Sequence, residues 1–431
     1  MNNFYNIKKC RICGNSNLTP VLDLGRQYLA SSFVKDNSSS MNRIKIPLTL
    51  LLCDKRRNSS ACGFVQLKET VNRDLLYRNY FYRSSTNPLM KQALKEVVHD
   101  ISKRTKFKKG DCILDIGCND GTTLTYFTKK AARLGLDPAT NINRSNLDKS
   151  ITIATDYFSR DKALGLSRGR FFKCITSIAM FYDLNDPGAF VSEVRSVLAP
   201  DGIWCIQLSY LPVSLKTLNF YDICHEHLGY YSLGVLNGLM SRHGMQIFDA
   251  SLNNVNGGSL RVFVAPKNGR RSISKNLEKL YAAENKMNLH DPDTYKSFAA
   301  KINNLKKTTR DFIISEIKNK GLVIGLGAST KGNVLLQYFD IDKKLLPFIS
   351  ERNPEKVGLK TLGTDIELIS EEQARSLNPS AMPVLIWFFK DEIIKRERNY
   401  LNNGGKLFFP MPYPHIVTKN GEQKLHPRKV I

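Results

Sequence analysis

The sequence predicts an α/β protein in which two parallel-sheet domains follow a small cysteine-bearing module, and three observations carry that reading. Apolar strand-like runs alternate with amphipathic helical runs over most of the chain, as in a mostly parallel sheet with crossover helices. Two stretches, ILDIGCNDGTTL at residues 113–124 and GLVIGLGASTKGNVLL at residues 321–336, each read strand, glycine turn, helix. Cys10, Cys13, Cys53 and Cys62 fall in a short, turn-rich opening segment. The expected architecture is therefore α/β with a module over residues 1–70, a Rossmann-like domain over 71–268, and a helical spacer with a second Rossmann-like domain over 269–431.

Length and composition agree with several modules. At roughly 150 residues per domain, 431 residues imply two or three. No apolar run approaches the roughly 20 residues of a membrane span, and MNNFYNIKKC lacks the apolar core of a signal peptide, so a cytoplasmic protein is expected. Nine cysteines is an odd number and most are scattered through apolar strands, which predicts reduced thiols. The formal charge of +25 would suit a polyanion. Yet Lys and Arg are spread along the whole chain with no basic helix or aromatic-basic interleave, so no nucleic-acid surface is expected.

In the opening module, Cys10 and Cys13 form a CxxCG knuckle that sets two thiolates on one tetrahedral face. Cys53 and Cys62 are separated by DKRRNSSA, which must loop out for the four to close on one structural zinc. Four thiolates leave no coordination position open for catalysis. A helical stretch follows, containing RNYFYRSSTNPLM, where Tyr80, Tyr82, Ser84 and Ser85 bunch before a helix.

In the first glycine turn, Ile113, Leu114 and Ile116 make a strand covered on both faces. Gly117 and Gly121 then let the backbone turn tightly under a ligand. Asp115 and Asp120 bracket the turn, around Asn119. Acid disfavours a pyrophosphate and suits a cation, and S-adenosylmethionine carries a sulfonium, an ammonium and no phosphate. The pattern resembles the first motif of class I methyltransferases. Asp137 closes the second strand where it can take both ribose hydroxyls. Ligands of such sheets bind beyond the carboxyl ends of the strands, which puts Asp137, Asp156, Tyr182, Gln207 and Tyr210 on the working edge.

Two of the seven histidines flank a glutamate in Cys224-His225-Glu226-His227, with Tyr230 and Tyr231 close behind. This is not the HExxH spacing of a metalloprotease; a His-Glu-His beside a cofactor pocket suits acid–base chemistry. NNVNGGSLRVFVA reads as a turn and strand, with Asn256, two glycines and Arg261. A long amphipathic helix starts after Asp291. In the second glycine turn Lys331 is followed by Gly332, so the turn is not a nucleotide-hydrolysing loop; Lys331 and the turn amides suit a diphosphate.

Four motifs in one order resemble the sugar C-methyltransferases that act on nucleotide-linked 4-keto-6-deoxyhexoses. They are CRICGNSNLTPVLDLG, ILDIGCNDGTTL, YDICHEHLGYYSL with NNVNGGSLRV, and GLGASTKGN with ERNPEKVG. The resemblance implies methylation at C3, in some members at C5, in deoxysugar biosynthesis. His227 would be the base, with Glu226 and His225 orienting it and polarising the ketone, and Tyr82 and Tyr182 beside them. Tyr80 would join Asp115, Gly117, Asn119, Gly121, Asp137, Asp156 and Gln207 around the cofactor. The sugar nucleotide would meet Tyr230, Tyr231, Asn256, Arg261, Lys331 and Asn333. The chain departs from the family in carrying Cys224 where members commonly have Tyr, and Tyr182 where they have His. An RNA methyltransferase would share the zinc ribbon and cofactor fold, but no Pro-Cys nucleophile or Asn/Asp-Pro-Pro-aromatic motif occurs. A non-enzymatic sugar-nucleotide sensor would have no use for His-Glu-His. A monomer or weak dimer, binding no membrane, is expected.

Overall fold

The strand Cys112–Ile116 is buried along its whole length because it lies in the middle of a seven-stranded sheet. The computed structural model describes residues 3–35, 44–78, 80, 82–269 and 271–425. Across this sheet the strands run Ile151–Ala154, Ala132–Leu136, Cys112–Ile116, Phe172–Ile178, Leu198–Ser209, Ser259–Pro266 and Met245–Asn253. The first five are parallel, and Ser259–Pro266 is antiparallel to both its neighbours. Strand order reverses at Cys112–Ile116, which opens the ligand crevice beside it.

Alternation along each strand supplies two apolar faces. Ile113, Cys174 and Cys205 pack on one side with Val97, Val98 and Ile101 of the helix Pro88–Arg104. Leu114, Ile175 and Trp204 pack on the other with Val191 and Val194 of the helix Pro187–Val197. The apolar stretch ITIATDYF at residues 151–158 is strand only as far as Ala154.

The opening module is an antiparallel sheet of Leu18–Gln27, Ile46–Cys53 and Val65–Leu67, to which Gly229–Tyr230, just beyond His-Glu-His, adds as the fourth strand. Its short strand Phe33–Val34 pairs instead with Lys360–Thr361, at the edge of the C-terminal sheet. The module therefore staples both larger domains together.

In the C-terminal domain, Gly325–Leu326, Phe348–Glu351 and Glu367–Ser370 are parallel. Bridges from Val323 to Ala381 and from Leu326 to Val384 join them to Ala381–Pro383, Lys406–Phe409, His415–Thr418 and Gly421–Lys424. In the apolar stretch PVLIWFF at residues 383–389 the strand ends at Pro383, and a helical turn follows at Trp387–Phe389. The helix Pro292–Lys318 buries Tyr295, Phe298, Ile302, Leu305, Phe312 and Ile313 in one cluster with Leu22, Leu50 and Leu52 of the module. The helix Lys275–Asn285 packs with the first Rossmann-like domain instead: Leu277 joins that core, and Glu284 accepts the N–H groups of Leu233 and Gly234 at 2.6 and 2.7 Å. Those are the free amides at the start of the helix Leu233–Arg242, so the domain continues past residue 268. Among the described residues no helix is long and apolar enough to cross a membrane.

Candidate active site

The cofactor turn is shaped by left-handed backbone at Gly117, Asn119 and Gly121, with φ of 73°, 53° and 81°. A Cβ on Gly117 would stand 3.0 Å from Met180 Cγ, and one on Gly121 2.8 Å from Ile153 Cδ1. Both conformation and space therefore call for glycine. Asp137 accepts the N–H groups of Asn119 at 2.9 Å and Ala139 at 3.0 Å, and Arg144 lies 3.3 Å away. Arg144 also donates to the Asn119 carbonyl at 3.0 Å; sequence reasoning missed it because it sits in a loop with no motif of its own. A carboxylate at a strand end, beside a turn that only glycines permit, fits the ribose and cationic groups of S-adenosylmethionine.

Residues 82–85 lie across this turn. Ser84 N–H donates to Asn119 Oδ1 at 3.1 Å, Ser85 N–H to Asp120 Oδ2 at 2.8 Å, and Asn119 Nδ2 to the Tyr82 carbonyl at 3.1 Å. Asn79 and Phe81 of the same segment lie outside the described residues. Besides Tyr80, three expected cofactor residues sit elsewhere. Asp115 is inside the sheet, accepting from the Thr176 hydroxyl at 2.6 Å, and burial pushes its carboxyl up to about 7. Asp156 is at the outer rim, paired with Lys162 at 2.5 Å, whose ammonium holds its carboxyl below the usual range. Gln207 accepts from Arg261 Nε at 2.9 Å and Asn253 Nδ2 at 3.1 Å. Arg261, expected at the substrate, also pairs with Asp100 on the helix Pro88–Arg104. The reason is register: Gln207 and Arg261 are cross-strand partners, on the sheet face that this helix covers.

The His-Glu-His residues point in different directions. His225 is fully buried with Nε2 3.1 Å from the Ile46 carbonyl, and burial lowers its pKa, so it bolts the segment to the opening module. His227 has Nδ1 2.6 Å from the Asp222 carbonyl. A carbonyl only accepts, so Nδ1 carries the proton and Nε2 keeps its lone pair. Burial lowers the His227 pKa, Asp222 opposing and Lys331 reinforcing the shift. The Tyr182 ring lies 4.2 Å from the imidazole, and burial holds its phenol neutral.

Glu226 is 4% exposed, and neither carboxylate oxygen has a hydrogen-bond partner among the described residues. Its backbone carbonyl accepts from the Tyr77 hydroxyl at 2.9 Å. Asp183, which sequence reasoning missed, faces Glu226; burial and then that carboxylate push its carboxyl well above the usual range. The available signal was an acid one residue beyond Tyr182 at the end of an apolar strand. Tyr80 faces Asp183, Glu226 and Cys224, whereas Tyr82 is 43% exposed and its carbonyl holds Asn119 of the cofactor turn. The two tyrosines thus have different surroundings. Cys224 is fully buried, and burial followed by the nearby Glu226 carboxylate raises its thiol pKa.

Of the expected substrate residues, Tyr230 donates to the Asp222 carbonyl at 3.4 Å. Tyr231 is 1% exposed in a ring cluster with Phe64 and Phe181, with centroids 4.9 and 5.3 Å away, and faces core rather than crevice. Lys331 donates to the Asn256 carbonyl at 3.1 Å and pairs with Asp222 Oδ1 at 2.5 Å. Asn333 is buried, donating to the Ala30 carbonyl of the opening module at 2.7 Å. Lys356 reaches the Ala328 carbonyl at 3.1 Å, a second cation at the C-terminal glycine turn that sequence reasoning did not single out.

The Sγ atoms of Cys10, Cys13, Cys53 and Cys62 lie within 4.8 Å of one another, with 3.6 Å from Cys10 to Cys62 and 3.5 Å from Cys13 to Cys53. Zn–S bonds of about 2.3 Å in a tetrahedron put sulfurs about 3.8 Å apart, so the four thiols fit structural zinc. The DKRRNSSA segment does loop out. Asp54 turns it by accepting the Arg56 N–H and the Thr19 hydroxyl, each at 2.9 Å.

Comparison with known proteins matches three domain families in sequence. They are a zinc binding domain over residues 10–77, a methyltransferase domain over 87–249, and a C-methyltransferase C-terminal domain over 254–412. C-methyltransferase NovU of Streptomyces niveus is 28% identical over 414 residues, covering 96% of this chain and 97% of that protein. Among solved structures, magnesium protoporphyrin IX methyltransferase of Synechocystis PCC 6803 with bound S-adenosylhomocysteine (SAH) is 11% identical. It covers 43% of this chain and 90% of its own, with a TM-score of 0.34. The plantazolicin methyltransferase BpumL with bound SAH is 15% identical over 42% of this chain and 85% of its own, with a TM-score of 0.33. A zinc binding domain, a methyltransferase domain and a C-methyltransferase C-terminal domain matched in this order, with similarity to NovU along nearly the whole chain, support an S-adenosylmethionine-dependent C-methyltransferase.

Proposed function

We propose that the enzyme methylates C3 of a nucleotide diphosphate-linked 4-keto-6-deoxy sugar, with His227 as the base. The observation that carries this is the 2.6 Å contact from His227 Nδ1 to the Asp222 carbonyl, which leaves Nε2 free to accept a proton beside Tyr182. A C–H next to a ketone is acidic enough for such a base. The C3–H bond breaks, Nε2 takes the proton, and the electron pair becomes an enolate whose oxygen a neutral phenol such as Tyr182 can stabilise. S-adenosylmethionine, when bound, would supply a methyl group on a sulfonium for the carbanionic C3 to take, with SAH as the leaving group. The Glu226 carboxylate, unpartnered among the described residues, suits a sugar hydroxyl, and Lys331 and Lys356 beside the C-terminal glycine turn suit a diphosphate.

Incubation with S-adenosylmethionine and dTDP- and GDP-4-keto-6-deoxy sugars, read by mass spectrometry, tests the substrate class. Exchange of the C3 hydrogen in deuterium oxide, without S-adenosylmethionine, isolates the proton step. His227→Asn should slow that exchange by about 10²- to 10⁴-fold while still binding SAH. Exchange at the wild-type rate, or at C5 alone, would overturn the assignment.

A further inference from the structure

The turn Phe220–Asp222, which precedes His-Glu-His, belongs by sequence to the methyltransferase domain, yet the C-terminal domain grips it. Phe220 stacks on Phe339 at 5.2 Å and 27°, and lies 5.4 Å from Tyr338, at the end of the helix Thr330–Tyr338. From the first turn of the same helix, Lys331 reaches across to Asp222 Oδ1 at 2.5 Å. Asn219 Nδ2 holds the other oxygen of Asp222 at 2.7 Å. Lys331 is itself fixed by the Asn256 carbonyl and lies 5.2 and 5.7 Å from the ring centroids of Phe388 and Tyr221. The backbone carbonyl of the same Asp222 receives His227 Nδ1.

We propose that Asp222 is a positioning residue that couples the C-terminal domain to the base: its carbonyl sets the His227 tautomer while its carboxylate is clamped by Lys331. This rests on the reading of His227 as the base, and it adds that the charge state of the base depends on a cation from another domain. The coupling follows from the two contacts Asp222 makes at once. Through Lys331, the C-terminal domain holds the turn whose carbonyl orients the imidazole, so the domain beside the glycine turn also readies the proton acceptor. Among the described residues, the charged and titratable groups facing His227 are Asp222 and Glu226 on its own segment, Lys331 from the C-terminal helix, the neutral phenol of Tyr182 from the turn Phe181–Asp183, and the neutral phenol of Tyr230, which shares the Asp222 carbonyl. An anion at Asp222 stabilises the protonated imidazole and a cation at Lys331 opposes it.

The test is the pH profile of ketone-adjacent hydrogen exchange at saturating sugar nucleotide, on the full chain, for Asp222→Asn, Lys331→Met and the double variant. Asp222→Asn keeps the backbone carbonyl and leaves Lys331 uncompensated, so the acid limb should move to lower pH. Lys331→Met keeps the aliphatic stem and leaves Asp222 uncompensated, so the limb should move to higher pH. Each shift should reach at least about half a unit, about threefold in rate on the limb, and the double variant should return towards the wild type. Damage to the fold alone would not move the limbs in opposite directions. If all limbs coincide, or both single variants shift the same way, the coupling is wrong even where His227→Asn abolishes exchange. If His227→Asn exchanges at the wild-type rate, the base assignment fails and the coupling with it.

Discussion

Replacing Asp137 by Ala removes the carboxylate that organises the cofactor turn, and the structure sets the size of the effect. The lost acceptor serves Asn119 N–H at 2.9 Å and Ala139 N–H at 3.0 Å, and it neutralises Arg144 at 3.3 Å. Leaving a buried donor unpaired costs about 1–3 kcal/mol, so two amount to about 2–6 kcal/mol of domain stability. A domain of this size loses about 2–4 °C per kcal/mol, so its melting temperature should fall by at least about 4 °C. The ribose hydroxyls would lose a charged acceptor as well, worth about 1.5–3 kcal/mol, which weakens SAH binding by about 10- to 150-fold. Calorimetric titration with SAH, beside a thermal melt of the ligand-free protein, reads both. A lowered melting temperature with unchanged affinity would mean that Asp137 only shapes the turn, and the cofactor ribose would have to lie elsewhere.

Two further outcomes follow from the same geometry. Elemental analysis should find one zinc per chain, and Cys53→Ser should lose it; turnover should fall too, because the strand Ile46–Cys53 carries the zinc ligand at one end and the carbonyl that holds His225 at the other. Zinc content unchanged in that variant would refute the ligand set. Because burial lowers the His227 pKa from its ordinary 6.5 and the neutral imidazole is the active form, the acid limb of proton abstraction should have its midpoint below 6.5, with the rate levelling off as pH rises past it. The rate should fall only as pH drops through the lower folded value, and a limb midpoint above 6.5 would contradict the buried, neutral base.

Local order was legible in the sequence where one short stretch determines both shape and chemistry. The left-handed turn around Gly117 and Gly121 is legible because only glycine relieves the contacts with Met180 and Ile153. The CxxCG knuckle was legible as well, since two thiolates at that spacing can share one metal. His-Glu-His was recognisable as an unusual density of titratable groups, but which member faces the substrate was not. That depends on what lies around it. His225 turns to the Ile46 carbonyl, His227 to the Asp222 carbonyl, and both partners are set by chain packing rather than by neighbours in sequence. Likewise Gln207 looked like a working-edge residue and Arg261 like a substrate contact until strand register placed them together under the helix Pro88–Arg104 with Asp100. Tyr80 and Tyr82 have different neighbours because the side chain direction of an irregular segment follows from its contacts, not from a period. The sequence by itself determined the strands, turns and candidate chemical groups, which depend on residues a few positions apart. Only the tertiary structure decided which of those groups meet, because Lys331 and Asp222 lie 2.5 Å apart through contacts between domains that no local pattern encodes.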